Sequence, residues 1–383
     1  MIIHKAYKFR IYPNDIQKEL IHKTFGCTRF IYNYYLDMKQ TEYKNNHQSK
    51  SAYECIKDIP TLYIERPYLK EIDAMSLRCA LFDLDDAYKA FYKGIRKYPN
   101  FKRKYDKNSY RTNRVTSTYK GKQYENIILD LEQKTITLPK LKEMKIRGYR
   151  NLSNIQGRII NATVSREKTG KYYVSVLYEQ NIETLKLIPN SIIGIDLGIK
   201  DIVITSDNEK YNNQKNIQKY EKRIRRKQRE LSRKQKGSNN YYKCKQQLAR
   251  LYSKLKNARI HITHEITKKL TDTHDIIVTE TLKIKNMVKN HKLAKTLTDV
   301  TLGEIIRQLE YKSKWKGKKL YKIDSYYPSS QVCSVCGYQN KITKDLSVRK
   351  YTCRKCHSEL DRDYNASVNI LFEGLKEYMK ELV

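Results

Sequence analysis

The stretch from Ser191 to Asp207, SIIGIDLGIKDIVITSD, decides how the rest of the chain is read. Ile192, Ile193, Gly194, Ile195, Asp196 and Leu197 precede Gly198, and the β-branched run Ile202, Val203, Ile204 follows it, which predicts two short strands. Asp196 is the one carboxylate among these apolar neighbours. A carboxylate on a buried strand is costly unless a cation or a donor meets it, so Asp196 either holds a metal or hydrogen-bonds a tight turn at Gly198. A second apolar strand, Ile276, Ile277, Val278, Thr279, also ends in a carboxylate, Glu280, and a third acidic cluster, Asp361 and Asp363, opens a helix near the C-terminus. Two strand-end carboxylates and one at a helix start can converge on a pair of hard divalent cations such as Mg²⁺, the arrangement used for in-line phosphoryl displacement.

The 383 residues are enough for two or three domains with separate cores. Lys and Arg number 78 against 41 Asp and Glu, a net charge of +37, which points to a polyanion partner and first to nucleic acid. A basic ribosomal or chromatin component is the plainer alternative, but such proteins usually lack a buried acidic triad. No run of about 18 apolar residues occurs, and MIIHKAYKFR lacks the apolar core of a signal peptide, so a cytoplasmic location is expected. Cys27, Cys55, Cys79 and Cys244 are scattered and read as reduced core or surface thiols. With 33 tyrosines and one tryptophan, many rings must pack while their hydroxyls reach water or phosphate, and some are candidates to stack on bases.

Residues 5–12, KAYKFRIY, alternate apolar and basic and predict a half-buried strand stopped by Pro13. Asn14 followed by Gln17 marks a helix start, and Leu77, Leu81, Leu84, Tyr88, Phe91 and Ile95 mark one face of a later helix. The basic segment after it, including Lys102, Arg103 and Lys104, is a candidate phosphate-contacting patch or a solvated loop. From about 110 to 183 the pattern is of strands, with a hairpin of Ala162–Ser165 and Tyr172–Tyr178. If the first strand joins that sheet, residues 14–107 are an insertion. Between the two acidic strands, residues 221–236 carry nine Lys or Arg against two Glu, and Leu248 to Ile266 form a second apolar stripe. A helical hairpin follows, with one basic arm carrying Arg223, Arg226, Arg229 and Arg233 as candidate nucleic-acid contacts rather than a merely solvated face.

Cys333, Cys336, Cys353 and Cys356 form C-x2-C-x16-C-x2-C, with Gly337 just past the first pair. Two close thiolate pairs suit a tetrahedral structural Zn²⁺; a disulfide fits a cytoplasmic chain poorly, and an iron–sulfur site is a minor alternative. His357 is a possible substitute ligand, left out because four thiols suffice.

GIDLGIK around Asp196, the strand ending in Glu280, the four-cysteine ribbon and DRDYNASVNI, in that order, resemble the transposon-encoded TnpB (OrfB) nucleases, relatives of the compact type V CRISPR effectors. KAYKFRIYPNDIQKELI and the segment around NFKRKYD are also similar, so the resemblance covers nearly the whole chain. It implies a mixed α/β and β, multidomain architecture. A wedge-like β-barrel would span 1–13 and 108–183, a helical recognition domain 14–107, and an RNase H-like RuvC nuclease domain 184–383. Within the last, a helical insertion would fill 213–272 and a zinc ribbon 326–360. It implies an RNA-guided endonuclease that cuts double-stranded DNA with Mg²⁺ held by Asp196, Glu280 and Asp363, with Zn²⁺ in the ribbon. Guide RNA, target duplex and displaced single strand would be the partners of a chain monomeric with its RNA. Asp361 is then a helix cap or a neighbour of the metal site. A DNA-binding transposition regulator, or a transposase with a DNA hydroxyl as nucleophile, is the alternative.

Overall fold

Alternation in IIHKAYKFRI makes β1 (Ile2–Ile11) a strand that buries Ile3, Tyr7, Phe9 and Ile11 and leaves His4, Ala6 and Lys8 outside. The computed structural model describes residues 1–119, 121–148, 155, 157–182, 189–287, 289, 291–345 and 347–381, and the expected boundary between 183 and 184 lies outside them. The chain divides into two units, Met1–Asn181 and Ile182–Val383.

In the first unit Pro13 ends β1, and Asn14 and Gln17 exchange side-chain and backbone hydrogen bonds in a capping box that starts α1 (Asp15–Asn46). Ser51 and Glu54 start α2 (Ala52–Glu65) in the same way, and α3 (Ala74–Tyr92) follows. These helices share a core of Ile31, Tyr35, Leu36, Leu69, Leu77 and Leu81. The α3 stripe holds as far as Phe91. Gly94 then takes φ +67° beyond the helix end, and Ile95, expected on the buried face, is 68% exposed. The strands β2 (Asn108–Asn113), β3 (Thr116–Tyr119), β4 (Lys122–Glu125), β5 (Ile128–Asp130), β6 (Thr135–Leu138), β7 (Lys142–Arg147), β8 (Arg158–Arg166) and β9 (Tyr172–Asn181) complete the unit. Seven of the strands form one sheet in the order β2-β8-β9-β1-β7-β6-β5. β1 runs antiparallel to β9 from Ile2 opposite Asn181 to Ile11 opposite Tyr172, so the three helices enter the chain between sheet partners.

The second unit is built on β10 (Ile192–Asp196), β11 (Asp201–Thr205), β12 (Lys210–Asn212), β13 (Ile276–Glu280) and β14 (Lys319–Ile323), in the order β12-β11-β10-β13-β14. β10, β13 and β14 are parallel, while β11 and β12 are antiparallel. Around the sheet lie α4 (Asn216–Ser232), α5 (Asn239–Thr273), α6 (Ile284–Met287), α7 (His291–Val300), α8 (Leu302–Trp315) and α9 (Arg362–Lys380). Strands β15 (Lys350–Thr352) and β16 (Glu359–Asp361) pair across the second cysteine pair.

Side-chain parity sorts the sheet's two faces. Ile193, Ile195 and Ile277 join a core with Ile266 and Leu270 of α5 and Ile305 and Leu309 of α8. Ile276 and Val278 face the other way, onto Ile370 of α9. Gly194 shares the α9 face, and a Cβ there would collide with the Ser367 carbonyl oxygen and lie 2.6 Å from the Leu371 nitrogen. The missing side chain lets the helix backbone sit directly on β10. Gly194→Ala is therefore expected to lower unfolding free energy by about 3 kcal/mol, because the obstacle is backbone that cannot rotate aside. Urea unfolding of the two proteins measures this; an unchanged midpoint would contradict the packing.

Candidate active site

Parity also explains why two carboxylates meet. Ile195 of β10 lies opposite Thr279 of the parallel β13, so Asp196 and Glu280, one residue further on, leave adjacent strands at the same level. Both point to the face covered by α9, whose first turn carries Asp363. Burial, followed by the charges of Glu280 and Asp363, pushes the Asp196 carboxyl up to about 8, with Arg362 opposing; the side chain still reaches solvent in part. Such an excess of negative charge on oxygen donors fits a hard divalent cation. Protein cations compensate part of it here: Arg349 Nη1 is 2.8 Å from Asp363 Oδ2. The Ser329 hydroxyl donates to Glu280 Oε1.

Asp361 has the work of a helix cap. Its Oδ1 accepts from the backbone N–H groups of Asp363 and Tyr364, and its Oδ2 from Lys210 Nζ at 3.0 Å. Burial works against ionisation, but these donors win and hold the Asp361 carboxyl below the usual range.

The cysteine cluster is tighter. Among the described residues, the Sγ atoms of Cys333, Cys336, Cys353 and Cys356 form the one group of three or more candidate ligand atoms all within 4.8 Å of one another. The carboxylates of Asp196, Glu280 and Asp363 stand further apart. Cys333 to Cys356 and Cys336 to Cys353 are each 3.7 Å between sulfurs. A tetrahedral zinc with Zn–S of about 2.3 Å sets sulfurs about 3.8 Å apart, whereas a disulfide needs about 2.05 Å. Each pair sits on a knuckle: Gly337 N–H donates to Cys333 O at 2.9 Å and His357 N–H to Cys353 O at 3.0 Å, with φ +73° and +58°. The Cys356 backbone N–H draws the Cys353 thiol down to about 6, which favours the ligating thiolate. The other four cysteines are free and buried.

The basic candidates occupy different settings. Arg223, Arg226 and Arg229 are exposed along α4 and Arg233 at its C-terminal cap, and among the described residues none of them is in an ion pair. Arg226, Arg229 and Arg233 line an open groove of about 420 Å³. Arg103 and Lys104 are exposed. Lys102 is exposed as well, but its Nζ sits 3.7 Å from the Tyr32 ring centroid, and Asn33 holds its backbone through both N–H and C=O.

Comparison with known proteins decides the relationship. A family profile described as "Probable transposase" (OrfB_IS605) matches residues 175–291. A Streptomyces pristinaespiralis protein named "Putative RNA-guided DNA endonuclease" is 32% identical over 97% of this chain and 90% of its own length. The chain belongs to the TnpB (OrfB) family. An Escherichia coli K12 relative, InsQ, named in the same terms, is 30% identical over 97% of the chain and 92% of its own length. A solved Cas12f1–sgRNA–target DNA complex shares the fold at TM-score 0.57 and 13% identity, covering 96% of this chain and 98% of that one. Residues 303–370, which in this chain include the cysteine cluster, match a profile described as "Cas12f1-like, TNB domain". Residues 1–48 match a profile described as a helix-turn-helix domain, yet they fold here as β1 and the single long helix α1.

Two groups around the site escape the sequence patterns, and two more sit in a quoted motif without a role. Ser329 touches Glu280 from an irregular segment, and Asn365 and Asn369, both within DRDYNASVNI, are buried on α9. Tyr326, 81% exposed, carries Lys283 Nζ at 4.6 Å from its ring centroid. These two residues follow β14 and β13 at the carboxylate end of the sheet. Among the described residues no helix is long and apolar enough to cross a membrane.

Proposed function

We propose that this TnpB-family chain is the RNA-guided DNA endonuclease of a transposable element, cutting target DNA by metal-dependent phosphodiester hydrolysis. The observation that carries the reading is the convergence of Asp196, Glu280 and Asp363 from β10, β13 and α9 on one sheet face. The strand order with β10, β13 and β14 parallel and β11, β12 antiparallel supports an RNase H-like RuvC fold over 184–383. In the same reading, 213–272 is the helical insertion and 326–360 the zinc ribbon. The seven-stranded sheet supports a wedge domain of 1–13 and 108–183, and α1 to α3 support a recognition domain of 14–107.

Two Mg²⁺ ions on the three carboxylates would supply an activated water and a charge clamp on the leaving oxygen. The carboxylates bind and orient. The free arginines of α4 hold phosphates of a guide–target duplex or of the displaced strand, and Tyr326 with Lys283 offers a base-stacking face beside the cut. Sequence is left to base pairing between guide RNA and DNA, since the basic surface carries backbone-binding chemistry. Zn²⁺ on Cys333, Cys336, Cys353 and Cys356 is structural. The chain is monomeric with its RNA.

Stripping RNA with nuclease and high salt is expected to abolish duplex cleavage, and a matched guide RNA with Mg²⁺ to restore it. Equal cutting without RNA, or with a mismatched guide, sinks the reading. The profile description over 175–291 favours one competitor, a transposase; that activity would yield joined rather than only cut DNA. The triple change Arg226→Ala, Arg229→Ala, Arg233→Ala is expected to weaken nucleic-acid binding and flatten the dependence of log K on log salt by about 2 to 3. A filter-binding salt series reads this; an unchanged slope would remove α4 from the interface.

A further inference from the structure

We propose that Ser329 is a positioning residue that fixes the Glu280 carboxylate for metal binding, held there by the amides of Asn365 and Asn369 on α9. The inference rests on the reading of Glu280 as a metal carboxylate given above. Glu280 has one methylene more than Asp196 or Asp363, so it has the most rotamer freedom to lose when a cation binds. The Ser329 hydroxyl donates to Glu280 Oε1, and among the described residues no hydrogen bond reaches Oε2.

Ser329 is itself immobilised, and by its backbone. It is 5% exposed, and its carbonyl accepts from Asn369 Nδ2 at 2.8 Å. Asn369 Nδ2 also reaches the Val332 carbonyl at 2.6 Å, and Asn365 Nδ2 reaches the same oxygen at 2.7 Å. Asn365 Oδ1 accepts from the Ser334 N–H at 2.8 Å, beside the ligand Cys333. Asn365 is fully buried and Asn369 3% exposed. Buried amides with so many partners satisfied are rigid anchors. The two asparagines lie one helical turn apart on the helix that carries Asp363, so α9 both presents the third carboxylate and clamps the segment that orients the second.

Anchoring of this segment runs through main-chain atoms. Among the described residues the Ser329 hydroxyl has one partner, the Glu280 carboxylate. Deleting the hydroxyl therefore leaves the clamp in place and frees only Glu280. Partners that orient metal ligands typically change metal affinity 10- to 100-fold when lost.

The test uses full-length, zinc-loaded protein and Mn²⁺, whose free-ion paramagnetic resonance signal reports binding directly. Ser329→Ala is expected to bind Mn²⁺ about tenfold more weakly. Its zinc content and its unfolding midpoint without added Mn²⁺ should match the parent. Ser329→Thr, which keeps the hydroxyl, should restore affinity. Ser329→Cys, a weak donor of similar size, should fall between them, and it carries the test if the alanine variant does not fold. Parent-like Mn²⁺ affinity in Ser329→Ala or Ser329→Cys overturns this inference alone, provided Glu280→Gln lowers affinity. If Glu280→Gln leaves Mn²⁺ binding unchanged, the metal role of Glu280 falls, and the positioning role of Ser329 with it.

Discussion

Alanine at Asp196, Glu280 or Asp363 is expected to reduce DNA cleavage by about 10³-fold or more, roughly 4 kcal/mol at the usual exchange of rate for barrier, while binding of RNA and DNA survives. The two effects separate because they arise from different atoms. Asp196 and Glu280 sit level on adjacent parallel strands with α9 bringing Asp363 to the same face, so under the proposed function each is one part of a single cation seat. In the proposed function the grip on nucleic acid comes instead from cations such as Arg223, Arg226 and Arg229, exposed on α4, and Arg233 at its C-terminal cap. Asp361→Ala loses a cap with two backbone N–H partners and the Lys210 contact, which predicts a loss of stability of about 1 kcal/mol and a much smaller loss of rate. Cleavage and gel-shift assays on one guide and target read all four variants. If Asp361→Ala is dead and Asp363→Ala cuts normally, the third ligand is Asp361.

Removing the zinc is expected to have the other large effect. Structural zinc contributes about 10 to 16 kcal/mol of apparent binding energy in small domains, so Cys353→Ala should lose the metal and unfold the ribbon locally. The consequence reaches the carboxylates because the segment from Ser329 to Ser334 leads into Cys333 and is pinned to α9 by Asn365 and Asn369. Proteolysis within 326–360 should accelerate, zinc per chain should fall from about one toward zero, and cleavage should drop with it. Parent protein purified without chelator but holding well under one zinc per chain would contradict the assignment.

Where the information is local, the residues declare themselves. Asn14 and Gln17 announce a helix start because a capping box closes within four residues, and the structure has that box. The cysteine pairs imply two knuckles because each loop of two intervening residues can bring its own thiols together, and all four sulfurs do gather. Asp196 and Glu280 are visible as carboxylates ending apolar strands, and the net charge of +37 points to a polyanion without any fold. The same locality misleads at Ile95, where spacing continues a stripe that Gly94 has already ended.

What only the tertiary structure decided depends on which helix covers which face. A period of two places Gly194 and Asp196 on one side of β10, but nothing in the strand says that α9, some 170 residues later, will lie there closely enough to forbid a Cβ. Nor does the sequence between Glu280 and the cysteines reveal that α8 packs with α5 behind the sheet. Arg349 against Asp363, Lys210 against Asp361 and Ser329 against Glu280 join residues 14, 151 and 49 positions apart. Such pairs follow from sheet order and helix docking, which are set by burial of whole faces and leave no periodic trace in the residues that meet. The acids themselves could be read from the chain; the donors that aim them could be seen only once the sheet and α9 were assembled.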